Sequence, residues 1–116
     1  MSGIVFFGTE NHDDVVEFYC EQVGADRWLE QPDCTILRYD NQLFGFCERA
    51  EADTDGVLTF VRPTRAGVDE LYDRLEAHAR SEPSENERYQ IYHFYATDPD
   101  GRDVEGQTFL HETDPV

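Results

Sequence analysis

Hydrophobic and polar positions along this chain follow one plan twice. Residues 4–7 are a short apolar run, closed by the Gly-Thr-Glu-Asn break at 8–11. Over 13–23 the apolar positions Val15, Phe18, Tyr19 and Val23 return to one face with helical spacing. Asn11 or Asp13 is placed to cap that helix and Gly24 to stop it. Three strand-like pieces follow, near 27–30 and at Cys34–Tyr39 and Gln42–Glu48. An acidic linker, 50–56, then leads to a second apolar run at 57–62. After the Pro-Thr-Arg-Ala-Gly break at 63–67, a second helix carries Val68, Leu71, Leu75 and Ala79 on one face. The polar stretch 81–88 has room for a short strand, and a final hairpin pairs 89–97 with 103–110. Both halves therefore read strand, helix, three strands. The helices also share wording, Val-Val-Glu-Phe-Tyr at 15–19 and Val-Asp-Glu-Leu-Tyr at 68–72.

Strand alternation assigns faces. Asp40-Asn41 suits a two-residue type I′ turn, which pairs Tyr39 with Gln42, Ile36 with Gly45 and Cys34 with Cys47. Leu37, Phe44 and Phe46 then form an apolar face fit to pack on a helix, with Cys34, Ile36, Arg38, Leu43, Gly45 and Cys47 on the other.

The last hairpin is the most informative stretch. Aromatic Tyr92-His93-Phe94-Tyr95 runs into Asp98-Pro99-Asp100-Gly101, where proline presets a turn dihedral and glycine accepts a left-handed one, and a carboxylate returns at Glu105. This hairpin, the Phe18-Tyr19…Gly24 helix end and the doubled order of elements resemble the vicinal oxygen chelate superfamily. That superfamily contains glyoxalase I lyases, fosfomycin- and bleomycin-resistance proteins and extradiol dioxygenases. The resemblance covers essentially the whole chain. It implies one α+β domain over 1–116, with module one at 1–49, the linker at 50–56 and module two at 57–112. Each βαβββ module would form a curled mixed sheet around a cavity, with helices on the convex faces.

The resemblance implies that Glu105 points into the cavity, as the metal-binding glutamate does in metal-dependent members. Alternation then brings Asp103, Gln107 and Phe109 to the same side, and Tyr95, His93 and Ile91 across the turn. In fosfomycin-resistance proteins the tyrosine at the Tyr95 position touches the substrate. The metal histidines of the family have no counterpart. Counting back from the helices puts their positions at Ile4 and Leu58, and sliding by a residue or two brings up only Val5, Phe6, Val57 or Thr59. The expectation is no metal and no cofactor; a site made of His93, Glu105 and Cys47 is the departure weighed against it. Glu105 and His93 are the catalytic candidates, as general base or hydrogen-bonding anchor, against a Glu–His or Glu–Arg pair that only fills space. The candidate ligand-binding residues are His93, Tyr95, Glu105 and Gln107, joined by Phe6 and Phe60 as aromatic lining, Arg62 and Arg38 as partners for Glu105, and Cys47.

Composition changes the picture in two ways. Nine basic residues, all arginine, stand against 26 acidic ones, for a net charge of −17. With 39% hydrophobic residues this reads as a folded core under an acidic, hydrated surface, a pattern that resembles cytoplasmic proteins of salt-accumulating halophiles. Nucleic acid is excluded as a partner, because no basic face exists to meet phosphates. No apolar run reaches membrane-spanning length. Cys20, Cys34 and Cys47 form neither a disulfide framework nor a zinc spacing, so reduced thiols are expected, with a cross-strand Cys34–Cys47 bond or a reactive thiol as the minority readings. The leading expectation is a metal-independent, homodimeric, cytoplasmic protein that binds a small, partly aromatic or apolar molecule. The alternatives are a metal-dependent lyase or dioxygenase-type enzyme with an altered metal site, and an interaction protein with a closed cavity.

Overall fold

The structure, a computed structural model, describes residues 3–116. The elements run β1 (Val5–Thr9), α1 (His12–Glu17), β2 (Asp26–Gln31), β3 (Cys34–Tyr39), β4 (Gln42–Glu48), β5 (Val57–Val61), α2 (Arg65–Leu75), β6 (Ser84–Asn86), β7 (Ile91–Thr97) and β8 (Asp103–Phe109). They form two open four-stranded sheets, ordered β1-β4-β3-β2 and β5-β8-β7-β6. In each, the first strand pairs parallel to the last and the other pairings are antiparallel, so both sheets are mixed. The fold is α+β with the βαβββ plan made twice. By compactness the chain divides into two units, one running through Asp55 and including Asp98–Arg102, the other Gly56–Thr97 with Asp103–Val116.

In the first unit α1 continues as a π-helical segment, Phe18–Val23. Its apolar positions Val15, Val16, Phe18, Tyr19 and Val23 are all buried. Gly24 ends it at φ 99°, a left-handed conformation that a side chain would oppose, and the Gly24 and Ala25 amides donate to the Tyr19 carbonyl. Tyr19 stacks on Phe46 with centroids 5.1 Å apart, which places Phe44 and Phe46 on the helix-covered face. Pairing of β3 with β4 follows the turn: Tyr39 opposes Gln42, Ile36 opposes Gly45, and Cys34 opposes Cys47. Only Asp40 of the two turn residues takes positive φ, 50°, so the register is the expected one while the turn is not type I′. Cys34 and Cys47 are joined by a disulfide, which corrects the expectation of three reduced thiols; Cys20 remains free.

Residues 98–102 form a dense polar cluster in that unit. Gly101 N–H closes the turn onto the Asp98 carbonyl at 2.9 Å, and Gly101 sits at φ 88°. Asp98 Oδ1 accepts from the amides of Asp100 and Arg102, and its Oδ2 accepts from Tyr19 Oη at 2.7 Å and Arg102 Nη1 at 2.6 Å. Arg102 also donates to the carbonyls of Asp53 and Gly8, and its guanidinium carbon lies 5.1 Å from the ring centres of both Phe7 and Phe46. Asp98, Arg102 and Tyr19 are buried and hydrogen-bonded to one another, as a buried charge requires.

In the second unit Thr64 Oγ1 caps α2 by accepting from Gly67 N–H. The buried stripe Val68, Leu71 and Leu75 packs on β7 and β8. Gly106 allows that approach: a Cβ there would stand 2.6 Å from the Phe94 ring and 2.9 Å from Leu71. Even-numbered residues of β8 therefore face α2, and Asp103, Glu105, Gln107 and Phe109 face away.

Candidate functional site

The face of the second sheet turned away from α2 carries the polar residues singled out by sequence. Tyr95 is paired with Glu105 and His93 with Gln107, so all four share that face. His93 Nδ1 lies 2.7 Å from Glu105 Oε2, and Thr59 Oγ1 donates to Glu105 Oε1 at 2.8 Å. The side chains of His93 and Glu105 are 14% and 10% exposed, so solvent reaches the pair without flooding it. With both Glu105 oxygens accepting, the network assigns a proton to His93 Nδ1 and turns Nε2 away from Glu105. Among the described residues nothing hydrogen-bonds Nε2 or Tyr95 Oη. The Tyr95 ring meets His93 edge-on at 5.3 Å and carries the Arg80 guanidinium over it at 5.5 Å. Burial, then the charges of Glu105 and Asp103, push the Tyr95 hydroxyl up from its ordinary pKa, so it remains a proton donor at neutral pH. Val57 and Val61, two residues to either side of Thr59, and Phe109, two beyond Gln107, add exposed apolar surface to the same face.

Three sequence expectations fail here. Phe60 pairs with Gly106 and is fully buried, so it faces α2 and does not line this face. Arg62 follows it toward the helix, where its side chain lies 3.7 Å from Glu70, and Arg38 lies 4.0 Å from Asp26; the partners of Glu105 are His93 and Thr59 instead. The position beside Glu105 on β5 is Thr59, not Leu58, because the strand pairs one residue out of step with the count from the helix. Alternation anchored at Glu105 would have found Thr59 had the parallel register been known.

That position also decides the fit of a metal. Thr59 and the flanking valines offer no imidazole or carboxylate, and Glu105 already engages His93 directly. Among the described residues no group of three His, Cys, Asp or Glu side chains could hold an ion. The donors present do not fit a resident divalent metal.

A separate cavity of about 570 Å³ lies in the first unit, lined by Phe6, Phe7, Cys47, Arg49, Glu51 and Asp53, together with Gly8 and Ala50. Phe6 covers Gly45 on the side away from the helix, the side that also carries Ile36 and Cys47. Of the expected binding residues, Phe6 and Cys47 thus meet there, and His93, Tyr95, Glu105 and Gln107 meet on the second sheet.

No family model matches the chain, and no curated protein does. Solved structures do. A glyoxalase/bleomycin resistance protein/dioxygenase family enzyme from Burkholderia phytofirmans superposes with a TM-score of 0.80 at 18% identity, covering 92% of this chain and 97% of that one. A lactoylglutathione lyase from Agrobacterium tumefaciens gives 0.74 at 21% identity over 93% and 94%. An integron cassette protein from a Halifax Harbour sewage outfall metagenome gives 0.78 at 20% identity over 94% and 100%. Among the described residues no helix is long and apolar enough to cross a membrane. At these identities the likeness is one of architecture: the chain has the glyoxalase/bleomycin resistance/dioxygenase fold.

Proposed function

We propose that this protein is a metal-independent member of the glyoxalase/bleomycin resistance group that binds a small, partly aromatic or apolar molecule at the second sheet. The observation that carries the reading is the Glu105 carboxylate, held by Thr59 and His93 on the sheet face turned away from α2. A polar pair kept largely buried beside Val57, Val61 and Phe109 costs desolvation, and a ligand that uses His93 Nε2 and Tyr95 Oη gives that cost a purpose. Gln107, beside His93, supplies a further amide for orientation. The same geometry favours a second reading, an acid–base enzyme, with His93 as base, Glu105 holding its tautomer and Tyr95 as donor.

The two units would act as one domain, 1–116, in a cytoplasmic homodimer working in concentrated salt. The acidic composition supports the salt-rich setting. Native mass spectrometry of protein purified without dialysis, beside His93→Ala, tests the binding role. A 1:1 small-molecule adduct that the variant loses is expected; no adduct, or the same adduct on both proteins, contradicts it.

A further inference from the structure

The Cys34–Cys47 bond joins residues that the β3–β4 ladder already holds opposite each other. Pairing runs from the turn at Tyr39 and Gln42 to the cysteines, and the Glu48 amide donates to the Asp33 carbonyl at 2.8 Å beyond them. Leu37, Phe44 and Phe46 pin the two strands from the helix side, each fully buried. The cross-link spans 13 residues in sequence, so it constrains the unfolded chain less than a long-range bond would. Strand pairing and that buried face set the register independently of the bond. A bond that does not set the register is free to serve as chemistry.

Its surroundings favour that use. Cys47, 6% exposed, lines the first unit's cavity, which is open enough for a small molecule, and Cys34 is half-buried. The polar residues of the cavity are one cation and two carboxylates, Arg49 against Glu51 and Asp53. Asp53 is engaged by the Gly8 amide, and Arg49 Nη1 donates to the Glu48 carbonyl. Glu51, exposed and with no side-chain partner among the described residues, is left to meet a cation. The net charge of −17 adds a field of the same sign.

We propose that this cavity is a thiol–disulfide exchange site for small aminothiols, with Cys47 as the sulfur attacked. The incoming thiolate forms a bond to Cys47 Sγ while the Cys47–Cys34 bond breaks. The electron pair leaves on Cys34, whose thiolate takes a proton from water, and the aminothiol stays on Cys47 with its ammonium toward Glu51. A second thiolate attacking the mixed disulfide releases the small disulfide and leaves both cysteines reduced.

The test uses the full chain in a Cys20→Ser background, so that no third thiol competes. Cysteamine, 2-mercaptoethanol and 3-mercaptopropionate are compared by intact mass and peptide mapping, with rates expressed per thiolate. Cysteamine should add one equivalent, on Cys47, with Cys34 free to alkylate, and circular dichroism should stay native. Its rate should exceed that of 3-mercaptopropionate by about tenfold in dilute buffer, and molar salt or Glu51→Gln should shrink that gap. Any of four results overturns the proposal: a protein with Cys34 and Cys47 both free as purified, an adduct confined to Cys34, unfolding on reduction, or a charge preference that is absent or survives Glu51→Gln.

Discussion

Arg102 Nη1 donates to Asp98 Oδ2 at 2.6 Å, and both side chains are essentially inaccessible to solvent. The pair ties the turn 98–102 to Tyr19, Gly8 and Asp53. Arg102→Ala would leave the Asp98 charge buried without its cation. A loss of about 3–5 kcal/mol in unfolding free energy is expected, measured by urea denaturation in molar salt. Arg102→Lys should recover only part of it, because an ammonium cannot reproduce the guanidinium fork toward both carbonyls. A variant as stable as the parent would contradict the role given to this pair.

Tyr19 makes the same cluster sensitive to alkali. Burial first, then the Asp98 charge and hydrogen bond, push its phenol well above the ordinary value of 10.0. A group with a raised folded-state pKa contributes fully below its unfolded pKa and loses that contribution as pH rises toward the folded one. Stability should therefore hold up to about pH 10 and fall above it. Tyr72, Tyr92 and Tyr95 are shifted the same way, so Tyr19→Phe should reduce the decline without abolishing it. Denaturation midpoints from pH 8 to 11 check this, and an identical decline in the variant would contradict it.

Gly106→Ala probes the packing of the second unit. The added methyl would press on Phe94 and Leu71, and overpacking of this kind costs about 1–3 kcal/mol. An unchanged melting temperature would mean that the approach of α2 to β8 is looser than described.

What the sequence made legible depended on how local the signal was. The β3–β4 register followed from two turn residues, and the pairing of Tyr95 with Glu105 from Asp98-Pro99-Asp100-Gly101. Both are contacts within one hairpin. The β5–β8 register is a parallel pairing set by long-range packing, and the count from α2 missed it by one residue, hiding Thr59 and misplacing Phe60. An arginine in a polar turn reads as solvated, so nothing local announced that Arg102 is fully buried. The Cys34–Cys47 bond was visible as geometry, but the expected reducing compartment argued against it.

With 26 acidic residues and no lysine, repulsion among carboxylates should weaken the fold in dilute buffer. Thermal melts should rise by several degrees between about 0.1 M and about 3 M potassium chloride, as screening shortens the reach of each charge. Equal melting temperatures would remove the salt-adapted reading.

The central claim is that the face bearing His93, Tyr95, Glu105 and Gln107 receives a small molecule. Mapping amide and histidine ring shifts during titration with a set of aromatic and apolar fragments tests it most directly. The account predicts that perturbations centre on β7 and β8, that the His93 Nε2 resonance moves while Nδ1 stays protonated on Glu105, and that Glu105→Gln weakens binding about tenfold or more, the loss of one charge-assisted hydrogen bond. Fragments that bind elsewhere and leave His93 and Tyr95 unmoved would contradict it.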